Sequence, residues 1–119
     1  MFSIDLRSNV PIFEQLYQEI GKYIALSILK PDEQLPTVRS LAKELGINPN
    51  TVSKAYQEAE RSGLIYSVSG VGMFVSNTSE GVKAVLAKAY ATLFEAYNAL
   101  IELGEAPDDI INTLRGLKS

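Results

Sequence analysis

Leu35–Ser76 reads LPTVRSLAKELGINPNTVSKAYQEAERSGLIYSVSGVGMFVS, and its spacing decides the fold. Val38, Leu41, Ala42 and Leu45 recur at steps of three and four, which places them on one face of a helix. Thr37 is positioned to cap that helix by accepting a backbone N–H of its first turn, and Gly46 supplies the left-handed residue that ends it. Asn48 and Pro49 then form a second start signal, a side-chain cap followed by a ring already set to helical φ. Val52, Ala55, Tyr56 and Ala59 carry the inward face of this second helix up to Gly63. Two short helices across a Gly-containing turn make a helix-turn-helix. Leu64–Val68 and Met73–Ser76, joined through Ser69-Gly70-Val71-Gly72, follow as a hairpin, or wing.

Upstream, Phe2, Ile4 and Leu6 alternate with Ser3, Asp5 and Arg7, the period of a half-buried strand. Pro11 opens a helix whose apolar stripe runs through Ile12, Leu16, Ile20, Ile24 and Ile28, widened by Phe13, Tyr17 and Tyr23 and ended by Pro31. Asp32-Glu33-Gln34 reads as a turn before Leu35 re-enters the core. Downstream, Asn77-Thr78-Ser79 is a polar joint, which divides the chain into 1–76 and 77–119. A long helix runs from this joint to about Leu103, with Leu86, Leu93 and Leu100 at seven-residue spacing and Ala89, Tyr90, Phe94, Ala96, Tyr97 and Ile101 beside them. Gly104 breaks it, and Pro107 restarts a short helix with Ile110, Ile111, Leu114 and Leu117 on one side.

That band is too wide for two helices to hide by themselves. At roughly 25 cal/mol per Å², leaving it wet costs several kcal/mol, so a twofold homodimer is the expected cover. The residues expected at that interface are Leu86, Ala89, Tyr90, Leu93, Phe94, Tyr97, Leu100, Ile101, Ile110 and Leu114. The reading is therefore a mainly α (α+β) chain, a winged helix-turn-helix followed by a two-helix dimerisation tail.

Composition narrows the chemistry. Among 119 residues there is no cysteine and no histidine, which removes disulfides, thiolate metal sites and the commonest general base. No apolar run approaches the ~20 residues of a membrane span, and MFSIDLRSNV lacks the features of a secretory signal, so a cytoplasmic address without membrane contact is expected. Asp108 and Asp109 are neighbours at a helix start, where the dipole explains them, and no spaced constellation suggests an enzyme or a cofactor. Net charge is −3, yet residues 37 to 54 hold Arg39, Lys43 and Lys54 against Glu44, three positive minus one negative, a local +2. A local excess of that kind leaves a DNA-docking face open.

In a helix-turn-helix the second helix enters the major groove and its first residues reach base edges. Here these are Asn48, Asn50, Thr51 and Ser53, with Lys54 a step further. Asn pairs bidentately with adenine, and Thr and Ser give short adaptable bonds. Asn48 also serves as a plain helix cap. Thr37, at the exposed start of the first helix, is placed to offer backbone N–H groups to a phosphate.

PIFEQLYQEI, KPDEQLPTVRSLAKELGINPNTVSKAYQEAERSGLI and the Gly-x-Gly wing ending in FVS together resemble the DNA-binding domain of the GntR family of bacterial transcription regulators. The resemblance runs unbroken from Pro11 to Ser76, and the short tail is similar to the YtrA-type branch, whose C-terminal part is a helix pair used for dimerisation. It implies double-stranded DNA as partner, a DNA contact for Arg39, a phosphate contact for Lys54, and wing contacts at Ser69 and Gly70. It further implies a repressor acting on an inverted repeat, in some relatives at a transporter operon. The wing departs from the family pattern: Ser69 and Val71 stand where a basic residue is common, which lowers the expected number of phosphate contacts. Two other readings use the same residues. A winged helix can serve protein contact, although Asn, Thr, Ser, Lys and Arg on the outward face suit DNA better. Tyr90, Phe94 and Tyr97 could wall a pocket for a flat apolar effector.

Overall fold

A computed structural model describes residues 1–117. In order, the elements are α1 (Ile12–Ala25), α2 (Val38–Leu45), α3 (Pro49–Arg61), β1 (Ile65–Val68), β2 (Gly72–Val75), α4 (Glu80–Glu102) and α5 (Pro107–Arg115). The architecture is mainly helical with one two-stranded antiparallel sheet, in register Ile65↔Val75 through Val68↔Gly72. The chain divides into two compact units, Met1–Val85 and the residues from Leu86 onward.

In the first unit, α1 and α2 both pack on α3, and the hairpin follows directly from its end. Leu16, Ile20, Leu29, Leu41, Val52, Leu64 and Val75 are fully buried and form the centre of the core. The caps stand where the sequence put them. Thr37 Oγ1 accepts from the Ser40 N–H at 3.0 Å, Asn48 Oδ1 accepts from the Asn50 N–H at 2.8 Å, and Gly46 closes α2 at φ 68°. The first turns of α4 belong to this unit too, with Val82 and Val85 packed against its core.

Three expectations fail here. Met1–Asp5 forms no strand. Only Phe2 is buried, its ring 5.1 Å from that of Tyr23, while Leu6 is 73% exposed. With no strand among the described residues paired to it, the segment is tied to α1 by side chains: the Ser3 N–H donates to Glu19 Oε1 at 2.9 Å and the Asp5 N–H to Gln15 Oε1 at 2.7 Å. The Tyr23 hydroxyl adds a bond to the Met1 carbonyl.

The stripe of α1 also stops early, at Ala25 and well before Pro31. Ser27 takes φ 59°, the chain folds back so that the N–H groups of Ile28 and Leu29 both donate to the Tyr23 carbonyl, and Leu29 is buried in place of Ile28. The turn expected over Asp32-Glu33-Gln34 is confined to its start. Beyond Asp32 the chain runs alongside β2: the N–H of Asp32 donates to Val75 O, that of Val75 to Glu33 O and that of Leu35 to Met73 O, each at 2.8 Å.

In the second unit the remainder of α4 and α5 bury Ile110 between them and leave most of their other large apolar side chains exposed. Leu93, Phe94, Ala96, Tyr97, Leu100, Ile110, Ile111 and Leu114 line an apolar groove of about 310 Å³.

Candidate nucleic-acid interface

α3 is amphipathic, and its burial separates two jobs. Val52, Ala55, Tyr56 and Ala59 face the core. Asn50 is exposed, Thr51 and Ser53 are half-buried, and none of these three spends its side chain on packing in the centre of the unit. Asn48 does spend its side-chain oxygen, on the cap to Asn50, which leaves the two N–H groups of its amide nitrogen as donors.

The Tyr56 hydroxyl donates to the Pro36 carbonyl at 2.7 Å, which ties the second helix to the chain entering the first. Burial, and then the negative charge of Glu44, push the Tyr56 pKa well above its ordinary value. The buried Tyr56 therefore remains a neutral donor throughout the physiological range.

The other expected contact residues lie on neighbouring elements. Thr37 and Arg39, at the start of α2, are exposed, and Arg39 has no ion-pair partner among the described residues. Ser69 and Gly70 sit exposed at the tip of the hairpin, with φ 77° at Gly70. Lys54 is turned toward α1, its Nζ 3.9 Å from the centre of the Phe13 ring. Such a cation–π contact is worth about 0.5–1 kcal/mol at an exposed site, little enough for a phosphate to compete for the ammonium.

Gln57 and Glu60, to which the sequence pattern assigned no role, complete this face. Val38, Ser53, Tyr56, Gln57, Glu60 and Met73 line a shallow depression of about 180 Å³ between α2, α3 and β2. Gln57 follows Ser53 at four-residue spacing, and that signal was available in the sequence. The ties that hold the wing were not. Ser67 Oγ donates to Glu60 Oε2 at 2.8 Å, the Tyr66 hydroxyl donates to Asp32 Oδ1 at 2.7 Å, and Gln34 Nε2 donates to the Val71 carbonyl at 3.2 Å. The bond to Asp32 holds the Tyr66 proton and raises its pKa.

The tail residues separate as well. Of those expected at a dimer interface, Leu93, Phe94, Tyr97, Leu100, Ile110 and Leu114 line the groove, while Leu86, Ala89, Tyr90 and Ile101 lie outside that lining on exposed surface. Of the three aromatic residues considered for an effector, the groove takes Phe94 and Tyr97. Tyr90 stands beside Phe94, ring centres 6.1 Å apart. No helix among the described residues is long and apolar enough to cross a membrane.

A helix-turn-helix with a polar outward face on its second helix and a hairpin beside it defines a winged-helix DNA reader. Residues 12–75 match the model of the bacterial regulatory proteins of the gntR family, more than half of the chain. The HTH-type transcriptional repressor YtrA of Bacillus subtilis is 42% identical over 95 residues, covering 80% of this chain and 71% of the repressor. A GntR family transcriptional regulator from Listeria monocytogenes has the same architecture, with TM-score 0.80 at 26% identity over 97% of this chain and 100% of that one. The DNA-binding domain of AraR, solved in complex with its operator ORE1, superposes with TM-score 0.55 at 30% identity, over 64% of this chain and 93% of that one. The chain belongs to the GntR family of transcription regulators, and it is a DNA-binding regulator of the YtrA type.

Proposed function

We propose that this chain is a repressor that occupies an inverted-repeat operator as a homodimer, without catalytic activity, in the cytoplasm. The observation that carries the reading is the division of α3, with Val52, Ala55, Tyr56 and Ala59 committed to the core and Asn50, Thr51 and Ser53 left to the outside. In this reading Asn50, Thr51 and Ser53 contact bases, Arg39 and Lys54 contact phosphates, and Thr37 contributes backbone N–H groups. The apolar groove of α4 and α5 supports the dimer, because a second copy gives each half of an operator its own reader and covers Phe94, Leu100 and Leu114 together. Repression then follows from occupancy of a promoter. That the similar Bacillus subtilis protein is named a repressor favours this direction of control.

Selection of bound duplexes from a random-sequence pool, with sedimentation of the complex, tests the proposal. It requires recovery of an inverted repeat bound by two chains. A single non-repeated site bound by one chain refutes it. Leu93→Asp is expected to yield a folded monomer that binds the recovered repeat at least tenfold more weakly.

The groove supports a second reading, binding of a flat apolar effector. Its volume of about 310 Å³ falls at the lower end of small-molecule sites, and its lining, Phe94 and Tyr97 included, is almost wholly apolar. Under this reading an aromatic ligand that raises the melting temperature also shifts operator affinity, and the Phe94→Ala chain loses both responses.

A further inference from the structure

A cavity of about 220 Å³ opens between the end of α1, the end of β2 and the start of α4, wholly within the first unit. Leu29 and Val75, both buried, close its base, and Ile24, Pro31 and Val82 wall it with carbon. Its rim is polar, with Ser27 from the α1 end and Ser76, Asn77, Thr78 and Ser79 from the segment between β2 and α4. None of these lining side chains is charged and none is aromatic. The backbone around the cavity is held by bonds that leave it open. Ser27 lies at φ 59°, in the left-handed region that a serine seldom occupies, and its carbonyl accepts from Lys30 Nζ at 2.7 Å. The Asp32 N–H donates to the Val75 carbonyl at 2.8 Å, and the Ser76 N–H to the Leu64 carbonyl at 2.9 Å. Ser76 and Thr78 share a hydroxyl–hydroxyl bond of 3.2 Å, whereas the side chains of Ser27, Asn77 and Ser79 have no bonded partner among the described residues. Residues held in sparsely populated backbone conformations recur at ligand sites.

We propose that this cavity is a binding site for a small uncharged aliphatic molecule carrying one or two hydroxyl groups, such as a branched short-chain diol. The inference goes beyond the reading of DNA and does not depend on it. The occupant follows from the lining. A volume of about 220 Å³ lies below the ~300–1,000 Å³ of sites for drug-sized ligands, so the molecule is small. A carboxylate or ammonium set against Leu29 and Val75 would lose its water and find no opposite charge. A flat aromatic molecule would find no ring to stack on. An aliphatic group fits the base, and its hydroxyl then meets Ser27, Asn77 and Ser79, which offer both donors and acceptors. Such a molecule touches α1 through Ile24 and α4 through Val82, at the joint that follows the winged helix.

The test titrates hexylene glycol, a branched diol, into the chain carrying isotope-labelled Ile, Leu and Val methyl groups. The methyl signals of Ile24, Leu29, Val75 and Val82 are expected to shift together and to saturate with one dissociation constant, about 10 mM or tighter for so small a ligand. Glycerol has the hydroxyls without the aliphatic group, and isovalerate has the aliphatic group with a charge. Both are expected to bind about tenfold more weakly or worse. Ser27→Gly removes one rim hydroxyl and accepts the left-handed backbone without strain. It is expected to keep the parental melting temperature or exceed it, and to weaken the diol about threefold. Val82→Phe is expected to fill the cavity and abolish the shifts at Leu29 and Val75, with its melting transition showing that it is folded.

Shifts that never saturate overturn the proposal, as do shifts confined to Leu93, Leu100 and Leu114 of the apolar groove. Glycerol or isovalerate binding as tightly as the diol overturns the assigned chemistry. A folded Val82→Phe chain that keeps the shifts at Leu29 and Val75 overturns the location. Should Val82→Phe fail to fold, an unchanged diol affinity in Ser27→Gly overturns the proposal by itself.

Discussion

The hydroxyl of Tyr56 in α3 donates to the carbonyl oxygen of Pro36 at the entrance to α2, across 2.7 Å. This bond joins the two helices of the helix-turn-helix beside the depression that Ser53 and Gln57 also line. Tyr56→Phe keeps the ring in the core and removes only the bond, so it is expected to cost about 0.5–1.5 kcal/mol of stability in urea unfolding. Operator preference should remain as in the parent, because the outward residues of α3 are untouched.

The same residue sets a pH dependence. Burial and Glu44 raise the Tyr56 pKa in the folded chain above its unfolded value of about 10. The folded state therefore holds this proton more tightly than the unfolded state. The corresponding stability is fully present below about pH 10 and is lost as pH rises beyond it. Unfolding free energy measured from pH 8 upward should fall less steeply for Tyr56→Phe than for the parent. Equal slopes would contradict the assignment.

The first turn of α4 is seated on the corner between α3 and β1. A Cβ on Gly81 would meet the backbone of Gly63 and Leu64 at 2.5 Å, where nothing flexible can yield. Gly81→Ala is expected to cost about 1–3 kcal/mol, the usual range for overpacking. At Gly21 the nearest atom is a methyl of Val85 at 3.2 Å, and a side chain gives way more readily than backbone. Gly21→Ala should therefore be the milder of the two. Denaturant midpoints of both variants check the order.

Caps and readers stand two residues apart at the start of α3 and should separate experimentally. Asn48→Ala removes the bond to the Asn50 N–H and is expected to cost about 1 kcal/mol of stability. Asn50→Ala and Thr51→Ala should leave stability near the parent value and relax base preference at their positions by about 1–3 kcal/mol. Arg39→Ala should weaken operator and random DNA alike and make the salt slope shallower by about 0.9. Competition binding at two salt concentrations distinguishes the three behaviours.

Much of this was legible in the sequence because the local signals agree with one another. Thr37 and Gly46 bracket α2, Asn48 and Pro49 open α3, and the apolar spacing of each helix matches the face it buries. Legibility ended where tertiary partners decide. Phe2, Ile4 and Leu6 have the period of a strand, but among the described residues no strand pairs with them, and Glu19 and Gln15 of α1 take backbone donors of Ser3 and Asp5 instead. Ile28 continues the stripe of α1 in register, yet the reversal at Ser27 hands its place to Leu29. Gln34 carried no signal, since a turn glutamine looks alike whether or not a wing tip lies 37 residues further on within its reach.

The absence of cysteine gives a direct test of the central claim, that α3 is the segment that lies in a DNA groove. A single Thr51→Cys substitution carries an iron–EDTA cleavage reagent to one known place, and Asn112→Cys on α5 serves as the control. On the enriched duplex, the reagent at position 51 is predicted to cut sugars at the centre of each half-site, and the reagent at position 112 to cut there weakly or not at all. Cleavage focused from position 112 with none from position 51 would contradict the account.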